Sequence, residues 1–421
     1  MKTVRIISRI LIGCVFIFSG FVKGVDPMGS AYKFIDYFEA FHMLFFEPIA
    51  IPLSMILSTL EMVIGINLLL GIRMKITAWA LLFFMSFFTV LTFILALYNP
   101  VTDCGCFGDA IILTNWQTFW KNIILFLPTI IVFISRDKYI PLYPKTTEWI
   151  VTGAFFLFGI SLSSYCYMNL PVIDFRPYKV GTSIPEKMVI PPGMPTDEYE
   201  TILVYEKNGV KEEFNMKNFP WQDSTWHWVE TKQKLIKKGY TPPIHDFTIT
   251  SLDENDITSE VLSDPGYSFL LVSPELGDAN TNALIEADSI AKTCKNKGYN
   301  FYCLTSSTMK DITRTQNKLK PEFSIYLTDN ITLKTIVRSN PGLVLIKDGV
   351  ILGKWSYKNF PTKKMLQKDF LQMVLDSYRH RWEKLRIISI FGLFFLAISL
   401  FHIIRKKFID NDRNLSSKSK D

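Results

Sequence analysis

Residues 76–97 read ITAWALLFFMSFFTVLTFILAL, an apolar run without a single charged side chain. A transmembrane helix needs about 20 mostly apolar residues, so this run predicts a membrane span. The same character recurs along the chain, and the predicted spans are residues 4–22, 49–70, 76–97, 116–134, 149–170 and 385–404. The sequence therefore predicts a multi-span α-helical membrane protein. Because the connections are short, its first four spans should form an up-down bundle.

The composition indicates that the chain has a soluble part in addition to this bundle. The 421 residues are 48% apolar and 20% charged, and their mean hydropathy is +0.19. These values exclude a disordered chain, a collagen-like rod and a small disulfide scaffold. We expect these parts: a four-helix bundle (1–135), a fifth transmembrane helix (149–170), a linker and β-hairpin region (171–241), a soluble α/β domain (242–384), a sixth transmembrane helix (385–404) and a tail (405–421).

The net charge of +7 reflects the membrane topology of the chain rather than a basic surface that binds a ligand. Lysine and arginine flank the apolar runs, where they mark the cytoplasmic ends of spans, so we expect a lipid bilayer and no nucleic acid as partner. This rule predicts cytoplasmic N- and C-termini, with residues 171–384 on the periplasmic side of a bacterial inner membrane. The first span could instead be a cleaved signal peptide. No small-x-small site follows Ser19–Lys23, which favours a retained anchor.

Glu61 lies in the middle of the second predicted span. An ionisable group at that depth costs free energy unless it is paired or neutral, which makes it a candidate functional residue facing the bundle interior. A structural hydrogen bond to Arg9, to Asn67 or to a Ser or Thr hydroxyl on a neighbouring helix is an equally good interpretation.

Cys104 and Cys106 lie in the outer loop between the third and fourth spans, in the sequence DCGCFGD at 103–109. Two thiols separated by one glycine can close a small, strained ring, and such disulfides are oxidising and labile. A redox pair is the leading hypothesis, while separate structural disulfides and a soft-metal site remain alternatives. Cys166, at a similar depth, could resolve a mixed disulfide. For Cys166 and Cys14, a buried inert thiol is the simpler interpretation.

Two resemblances follow from these motifs. Arg9-x3-Gly13-x2-Phe16-x2-Ser19-Gly20-x2-Lys23, Asp26-Pro27 and Glu61-x3-Gly65-x5-Gly71 are similar to DoxX-type membrane proteins. The Cys104-Gly105-Cys106-Phe107-Gly108 loop, followed by Trp116 and Lys121-Asn122, resembles the MauE branch, the methylamine utilisation membrane proteins. Across residues 1–135 this resemblance implies a four-helix membrane bundle, an accessory part in maturing disulfide-rich exported proteins, and Cys104 and Cys106 as the thiol pair.

The outer segment alternates strand and helix patterns. Residues 201–205 and 210–214 flank Asn208-Gly209 and predict a hairpin, and three tryptophans follow that we expect to pack on it. Beyond residue 242 the pattern includes a short hairpin (247–259), strands (267–273, 300–305, 323–328), helices (282–296, 310–319), a second hairpin (342–355) and a closing helix (363–378). This order predicts a mixed sheet covered by helices.

That arrangement resembles thioredoxin-like proteins of the TlpA and peroxiredoxin type. Asn340-Pro341 stands where that family keeps its cis-proline, but Ser273-Pro274-Glu275-Leu276 replaces its Cys-x-x-Cys. The resemblance implies a thioredoxin-like domain without its redox thiols, used for binding. Cys294 and Cys303 fall on apolar faces and should be core residues or one structural disulfide.

These features favour an inner-membrane protein that supports thiol–disulfide exchange, either as an oxidoreductase or as an accessory to one, with an exported disulfide-containing client protein as partner. The alternative is a non-catalytic scaffold or small-solute channel component organised around Glu61. The five histidines are too scattered for a metal site, and no cofactor-binding motif is present. We expect neither a metal nor a cofactor.

Overall fold

The computed structural model describes residues 2–139 and 144–362. The predicted sixth span at 385–404, the closing helix at 363–378 and the tail at 405–421 lie outside the described residues.

Six long helices form the membrane part of the described chain: α1 (Lys2–Val25), α2 (Pro27–Ala40), α3 (Ala50–Leu70), α4 (Met74–Tyr98), α5 (Asn115–Ile134) and α6 (Lys145–Met168). All except α2 are long and apolar enough to cross a bilayer, and they cover the first five predicted spans. A 3₁₀ turn at Leu44–Ile49 extends the second of these spans at its start. The prediction of a multi-span helical membrane protein is therefore confirmed.

Helices α1 and α3 cross in direct backbone contact because glycines line their interface. A Cβ atom on Gly20 would lie 2.5 Å from both Met62 N and Ser58 O. A Cβ atom on Gly65 would lie 2.7 Å from Gly13 O on the facing helix. Small residues at such a crossing allow two membrane helices to approach closely. This contact fixes α1 against α3 and aligns the polar residues that the two helices carry.

Helix α2 occupies part of the segment that the sequence suggested was a loop between the first two spans. Asp26 caps it by accepting a hydrogen bond from Gly29 N at 2.9 Å, and Pro27 is its first residue. Proline suits this position because its missing N–H would be unpaired there in any helix. The helix packs on α3 and buries Ala31 and Tyr37.

A three-stranded antiparallel sheet in the order β2-β1-β3 follows the bundle, made of β1 (Glu198–Lys207), β2 (Val210–Asn215) and β3 (His227–Lys237). The Asn208-Gly209 turn has positive φ at both residues, as a tight two-residue hairpin requires. The predicted hairpin is confirmed, whereas β3 was not predicted. Of the three tryptophans, Trp226 packs on Phe214 at 5.2 Å between ring centroids, while Trp221 is exposed.

The second sheet has the order β6-β5-β4-β7-β8. Its strands are β4 (Tyr267–Val272), β5 (Asn300–Thr305), β6 (Ser324–Leu327), β7 (Gly342–Lys347) and β8 (Val350–Ser356). Strands β4, β5 and β6 are parallel, and β7 and β8 join as an antiparallel hairpin. The helices are α7 (Ile184–Met188), α8 (Thr258–Leu262), α9 (Thr281–Asn296), α10 (Met309–Leu319) and α11 (Asn330–Ile336). This is a thioredoxin-like domain, as predicted.

Three local predictions in this domain need correction. Helix α11 was not predicted, and the predicted short hairpin at 247–259 is reduced to one bridge between Thr250 and Asp256, followed by α8. Part of the predicted linker belongs to the folded domain, since Tyr178 and Ile184 are buried in the core of the domain. This part of the predicted linker is therefore irregular but packed.

Cys294 and Cys303 lie in the hydrophobic core between the sheet and α9, as predicted. They are 1% and 0% exposed, and both are free thiols. Burial raises the pKa of each thiol to about 12. Both are therefore protonated and unreactive at neutral pH.

Candidate functional site

The Cys-Gly-Cys loop between α4 and α5 is held by α2. Lys33 Nζ lies 2.7 Å from Asp103 Oδ2, and Gly105 N donates to Asp103 Oδ1 at 2.9 Å. The Tyr37 hydroxyl donates to the Cys104 carbonyl oxygen at 2.6 Å. Gly105 has a φ of +65°, in the left-handed region that glycine adopts without steric cost. The glycine between the two thiols thus allows the turn that brings them together.

The two predicted redox thiols are in contact. Cys104 Sγ and Cys106 Sγ lie 3.0 Å apart, and both cysteines are free. Cys104 is buried and Cys106 is half-buried. Within residues 2–139 and 144–362, no group of three or more His, Cys, Asp or Glu side chains is arranged to hold a metal ion. The geometry suits a dithiol that can close to a disulfide.

The two thiols differ in acidity. A hydrogen bond from Cys104 lowers the pKa of Cys106 to about 6, with help from Lys121 and Lys23 and against the effect of burial. The same contact, together with burial, holds the pKa of Cys104 well above its usual value. At neutral pH the pair therefore contains one thiolate, at Cys106, stabilised by a neighbouring thiol. A thiolate is the nucleophile in disulfide exchange.

Glu61 faces the bundle interior and pairs with Lys23. Lys23 Nζ lies 2.5 Å from Glu61 Oε1, and both side chains are buried. The Ser19 hydroxyl lies 2.9 Å from Glu61 Oε2 and 2.8 Å from the Cys106 carbonyl oxygen, so it can donate to either. This hydroxyl joins the intramembrane carboxylate to the thiol loop. The sequence presented these as separate features, and the structure brings them into one site.

A cavity of about 80 Å³ lies between the thiol pair and the Lys23–Glu61 pair. Its walls come from α1 to α5 and the Cys-Gly-Cys loop. The polar lining residues include Ser19, Lys23, Glu61, Cys106, Lys121 and Asn122. The apolar ones include Phe16, Phe34, Leu57, Phe84, Phe88 and Leu125. The cavity is therefore apolar along most of its wall and polar where it meets the thiols.

Lys121 adds a second cation to this cavity. Its ammonium lies 4.4 Å from the centroid of the Phe107 ring, a cation–π contact. Among the described residues, no carboxylate lies within ion-pair distance of Lys121. Lys33 also lines the cavity, but Asp103 pairs with it. Apart from that pair, the cavity carries two cations, Lys23 and Lys121, and one anion, Glu61. A thiolate at Cys106 would balance these charges, which agrees with its lowered pKa.

Other predicted residues lie apart from this site. Arg9 stacks over Tyr139 at 5.3 Å and lies beside Gly71, and Asn67 Oδ1 accepts from Thr152 Oγ1 at 3.2 Å. Of the three alternative partners that the sequence offered for Glu61, the structure shows the serine hydroxyl, that of Ser19. Cys14 is exposed on the bundle surface rather than buried. No residue of α6 lines the cavity.

Cys166 is buried on α6, as the simpler interpretation expected. Its role as a resolving thiol stays a prediction.

The thioredoxin-like domain contacts the bundle next to the thiol loop. Arg338 Nε donates to Asp26 at 2.9 and 3.1 Å, and Arg338 Nη2 donates to Asp109 Oδ2 at 2.9 Å. Asp109 lies three residues after Cys106. Arg338 is 8% exposed, and its guanidinium lies 5.3 Å from the centroid of the Tyr32 ring. This buried arginine ties the domain to the end of α1 and to the thiol loop.

The docked end of the domain is the end where a thioredoxin-like protein carries its thiols. The Asn340-Pro341 peptide is cis, as predicted. Ser273, at the first position of the missing motif, donates from its hydroxyl to Asn340 Oδ1 at 2.7 Å, and Asn340 Nδ2 donates to the Glu275 carbonyl oxygen at 2.8 Å. At the position where the family has its two thiols, this domain therefore has hydrogen bonds among Ser273, Asn340 and Glu275.

Comparison with known proteins relates the bundle to a described family. Residues 1–135 match the family model for the methylamine utilisation protein MauE. This part of the chain is MauE-like. The resemblance inferred from the Cys-Gly-Cys-Phe-Gly loop is thereby confirmed, and it covers α1 to α5, the helices that form the cavity.

Other parts of the chain also match known proteins. Residues 199–238, which form the three-stranded sheet, match a domain of unknown function (DUF8463). A solved structure, the solution structure of a putative protein disulfide isomerase from Bacteroides thetaiotaomicron, has 14% sequence identity and a TM-score of 0.24. That similarity covers 32% of this chain and 91% of the other. A comparison with curated proteins finds no match.

Sequence reasoning missed several residues of the MauE-like site. Lys23 and Lys121 were noted only as parts of motifs, and Lys33 and Tyr37 were assigned to a loop. A signal for α2 was present, because Asp26-Pro27 is a typical helix start with an N-cap followed by proline at the first position. Lys23 lies in the last turn of α1, where a lysine ordinarily reaches to the membrane surface. Only the fold shows that it turns inward to Glu61.

Proposed function

We propose that this protein carries out thiol–disulfide exchange through Cys104 and Cys106 at the outer face of a bacterial inner membrane, in support of disulfide formation in an exported client protein. The observation that carries the proposal is the contact of the two sulfurs, 3.0 Å apart, beside a cavity lined by three lysines. Exchange passes through a mixed disulfide between the pair and the client.

The difference in acidity supports a division of labour within the pair. The thiol with the lower pKa is the better leaving group of a disulfide. In the oxidised pair, a client thiolate therefore attacks Cys104 and expels Cys106 as a thiolate. A second client thiolate then releases the client as a disulfide, and both cysteines remain reduced. The client loses two S–H protons: Cys104 takes up one, and the other goes to the solvent because Cys106 stays a thiolate at neutral pH.

The thioredoxin-like domain acts in this proposal as a binding module. Its own redox position holds Ser273, which cannot form a disulfide. Arg338 holds the domain beside Asp109 and therefore beside the thiol loop. A client bound to this domain would be presented close to Cys104 and Cys106. A domain that only binds the client needs no redox thiols of its own. This role accounts for a thioredoxin-like fold that lacks the Cys-x-x-Cys pair.

Mixed-disulfide trapping in cells tests the proposal. Cys104→Ser and Cys106→Ser each leave one thiol that can join a client but cannot release it. We expect at least one of these single variants to give a covalent adduct on non-reducing gels that disappears on reduction. The double variant, Cys104→Ser with Cys106→Ser, is the matched control and should give none.

The redox state of the pair in intact cells provides the second readout. Differential thiol labelling should find Cys104 and Cys106 cycling between dithiol and disulfide, with the reduced fraction rising when client synthesis is induced. A pair that stays fully oxidised under all conditions, together with no adduct in either single variant, would show a structural disulfide and overturn the proposal.

A further inference from the structure

Disulfide formation in a client leaves Cys104 and Cys106 reduced, so the pair must be reoxidised before the next turnover. Closing their disulfide breaks two S–H bonds, forms one S–S bond and releases two electrons and two protons. The acceptor must therefore take up an electron pair. The place of the pair in the structure limits where this acceptor can bind.

Cys106 lines a cavity within the membrane bundle, and this cavity offers the acceptor a site. Aromatic and aliphatic side chains from α1 to α5 form most of its wall. Ligand pockets with apolar walls and a few polar groups bind compact apolar ligands in one orientation. A nucleotide-type carrier would need room for its phosphates and counter-charges along its length. The wall chemistry favours a ring that is soluble in lipid.

The polar end of the cavity carries hydrogen-bond donors. An ammonium group has three N–H donors, and Lys23 directs one of them to Glu61. The Ser19 hydroxyl and the Lys121 ammonium line the same cavity. These donors can bind a carbonyl oxygen of a ligand and, through Glu61, pass protons to it. The thiols and the proton donors thus meet the ligand at the same end.

The size of the cavity suits the head of a ring rather than a large cofactor. Its volume is about 80 Å³. That is about five to eight times the ~10–15 Å³ needed for one water molecule. Room for several water molecules suits a single ring rather than a nucleotide-sized cofactor.

We propose that the cavity binds the ring of a membrane-soluble quinone, which oxidises Cys104 and Cys106 to a disulfide and leaves as the hydroquinone. This inference rests on the proposed exchange function of the pair. The two sulfurs lose two electrons. Cys104 gives up its proton when the disulfide closes, and Cys106 has already given up its proton on ionising, so two protons are released in all and the two quinone oxygens take up one each. Lys23 holds one carbonyl oxygen, and the Cys106 thiolate faces the ring.

The test uses the full chain in lipid nanodiscs. The pair is reduced, excess reductant is removed, and decylubiquinone is added as the probe. Loss of quinone absorbance and loss of the Cys104 and Cys106 thiols are followed in the same sample. We expect the two to proceed together, at equal amounts, and to saturate with quinone concentration.

A variant that fills the cavity adds a structural control. Leu57→Trp should raise the KM for decylubiquinone at least about tenfold, because the larger ring occupies the site. Leu97→Trp, on an exposed position of α4, is the matched control and should leave the KM unchanged. If the two tryptophan variants behave alike, the assignment of the cavity is wrong.

Binding can be measured apart from the redox reaction. In the chain carrying both Cys104→Ser and Cys106→Ser, decylubiquinone should raise the Tm, and adding Leu57→Trp should abolish this effect. Absence of quinone reduction by a pair that still exchanges with a dithiol peptide would overturn the quinone site and leave the proposed function standing. Failure of both reactions would overturn both.

Discussion

At the scale of single residues, the acidity of Cys106 gives a direct prediction. Its pKa is lowered to about 6, chiefly by the hydrogen bond from Cys104, so the reactive thiolate is present above that pH and lost below it. The rate of alkylation of Cys106 by iodoacetamide should therefore rise with a midpoint near pH 6. Mass spectrometry of the Cys106 peptide measures this rate in the reduced protein.

The chain contains its own controls for this experiment. Cys294 and Cys303, with pKa values raised to about 12, should stay unlabelled at neutral pH until the domain unfolds. Cys104→Ala removes the hydrogen-bond donor to Cys106, and should move the midpoint upward. A midpoint near the ordinary thiol value of 9 in the unaltered chain would contradict the asymmetry of the pair.

The Lys23–Glu61 pair gives a second residue-scale prediction. Removing one partner of a buried ion pair leaves an uncompensated charge, which costs about 3–5 kcal/mol of unfolding free energy. Lys23→Met and Glu61→Gln should each destabilise the bundle strongly. The double variant should cost less than the sum of the two. Denaturant unfolding in detergent measures all three, and strictly additive losses would show that the two side chains do not interact.

The sequence showed which residues have unusual chemistry, but it did not show which of them lie in contact. Cys104, Cys106 and Glu61 were identified because a thiol pair and an intramembrane carboxylate are unusual in apolar sequence. Their connection through Ser19 was not predicted, because it joins α1, α3 and the thiol loop across long separations in the chain. Spacing within one helix does not show which side chains of three helices meet.

At the scale of elements, the crossing of α1 and α3 depends on the absence of side chains. Gly20→Ala would place a methyl group 2.5 Å from backbone atoms of α3, which cannot move aside as a side chain can. We expect this variant to lower the Tm of the bundle by several degrees and to slow the reaction of the thiol pair, because Ser19 and Lys23 lie on the same helix.

Gly153→Ala is the matched control for this prediction. Position 153 is also in a membrane helix, α6, and nothing lies within 4 Å of the added atom. Alanine is the better helix former, by about 1 kcal/mol in a helix interior. Gly153→Ala should therefore leave the Tm unchanged or raise it. Equal effects of the two substitutions would show that backbone contact at Gly20 is not what holds the crossing.

The elements themselves were largely predictable. Long apolar runs gave five spans whose bounds agree with α1, α3, α4, α5 and α6 within a few residues. Helix α2 was missed because it is short and amphipathic rather than apolar throughout. Strand β3 was missed because its mostly exposed residues lack the alternation of a half-buried strand. Periodicity reports burial, and it becomes weak where an element is exposed on both faces.

At the scale of the whole molecule, one arginine couples the soluble domain to the membrane bundle. Truncating one partner of a buried, hydrogen-bonded charge pair costs about 2–5 kcal/mol. Arg338→Ala should therefore weaken docking and speed hydrogen exchange at the start of α2 and at Gly108–Ala110. Exchange in β4 and β7 should stay unchanged, because these strands belong to the core of the domain itself.

Arg314→Ala provides the comparison for this whole-molecule test. Arg314 is exposed on α10 of the same domain, so its loss removes the same charge without touching the bundle. Its exchange pattern should match that of the unaltered chain. If Arg338→Ala and Arg314→Ala give the same pattern, Arg338 does not control docking.

The docking of the domain could not be predicted from the sequence. The two domains were separable by composition, but 312 residues separate Arg338 from Asp26 in the chain. No local pattern relates an arginine before a cis-proline to an N-cap aspartate in another domain. The absence of the Cys-x-x-Cys thiols from the domain was visible in the sequence, whereas the surface that its docked end covers is visible only in the fold.

The Lys23–Glu61 pair also has a consequence for the order in which the chain is made. Thirty-eight residues separate the two side chains, so α1 is synthesised and enters the bilayer before its carboxylate partner exists. Until α3 follows, the Lys23 ammonium must reach to the water at the nearer membrane surface. The buried Lys23–Glu61 contact can form only once α3 is in place. The cavity needs α5 as well, because Lys121 and Asn122 line it, so it is not a property that α1 has on its own.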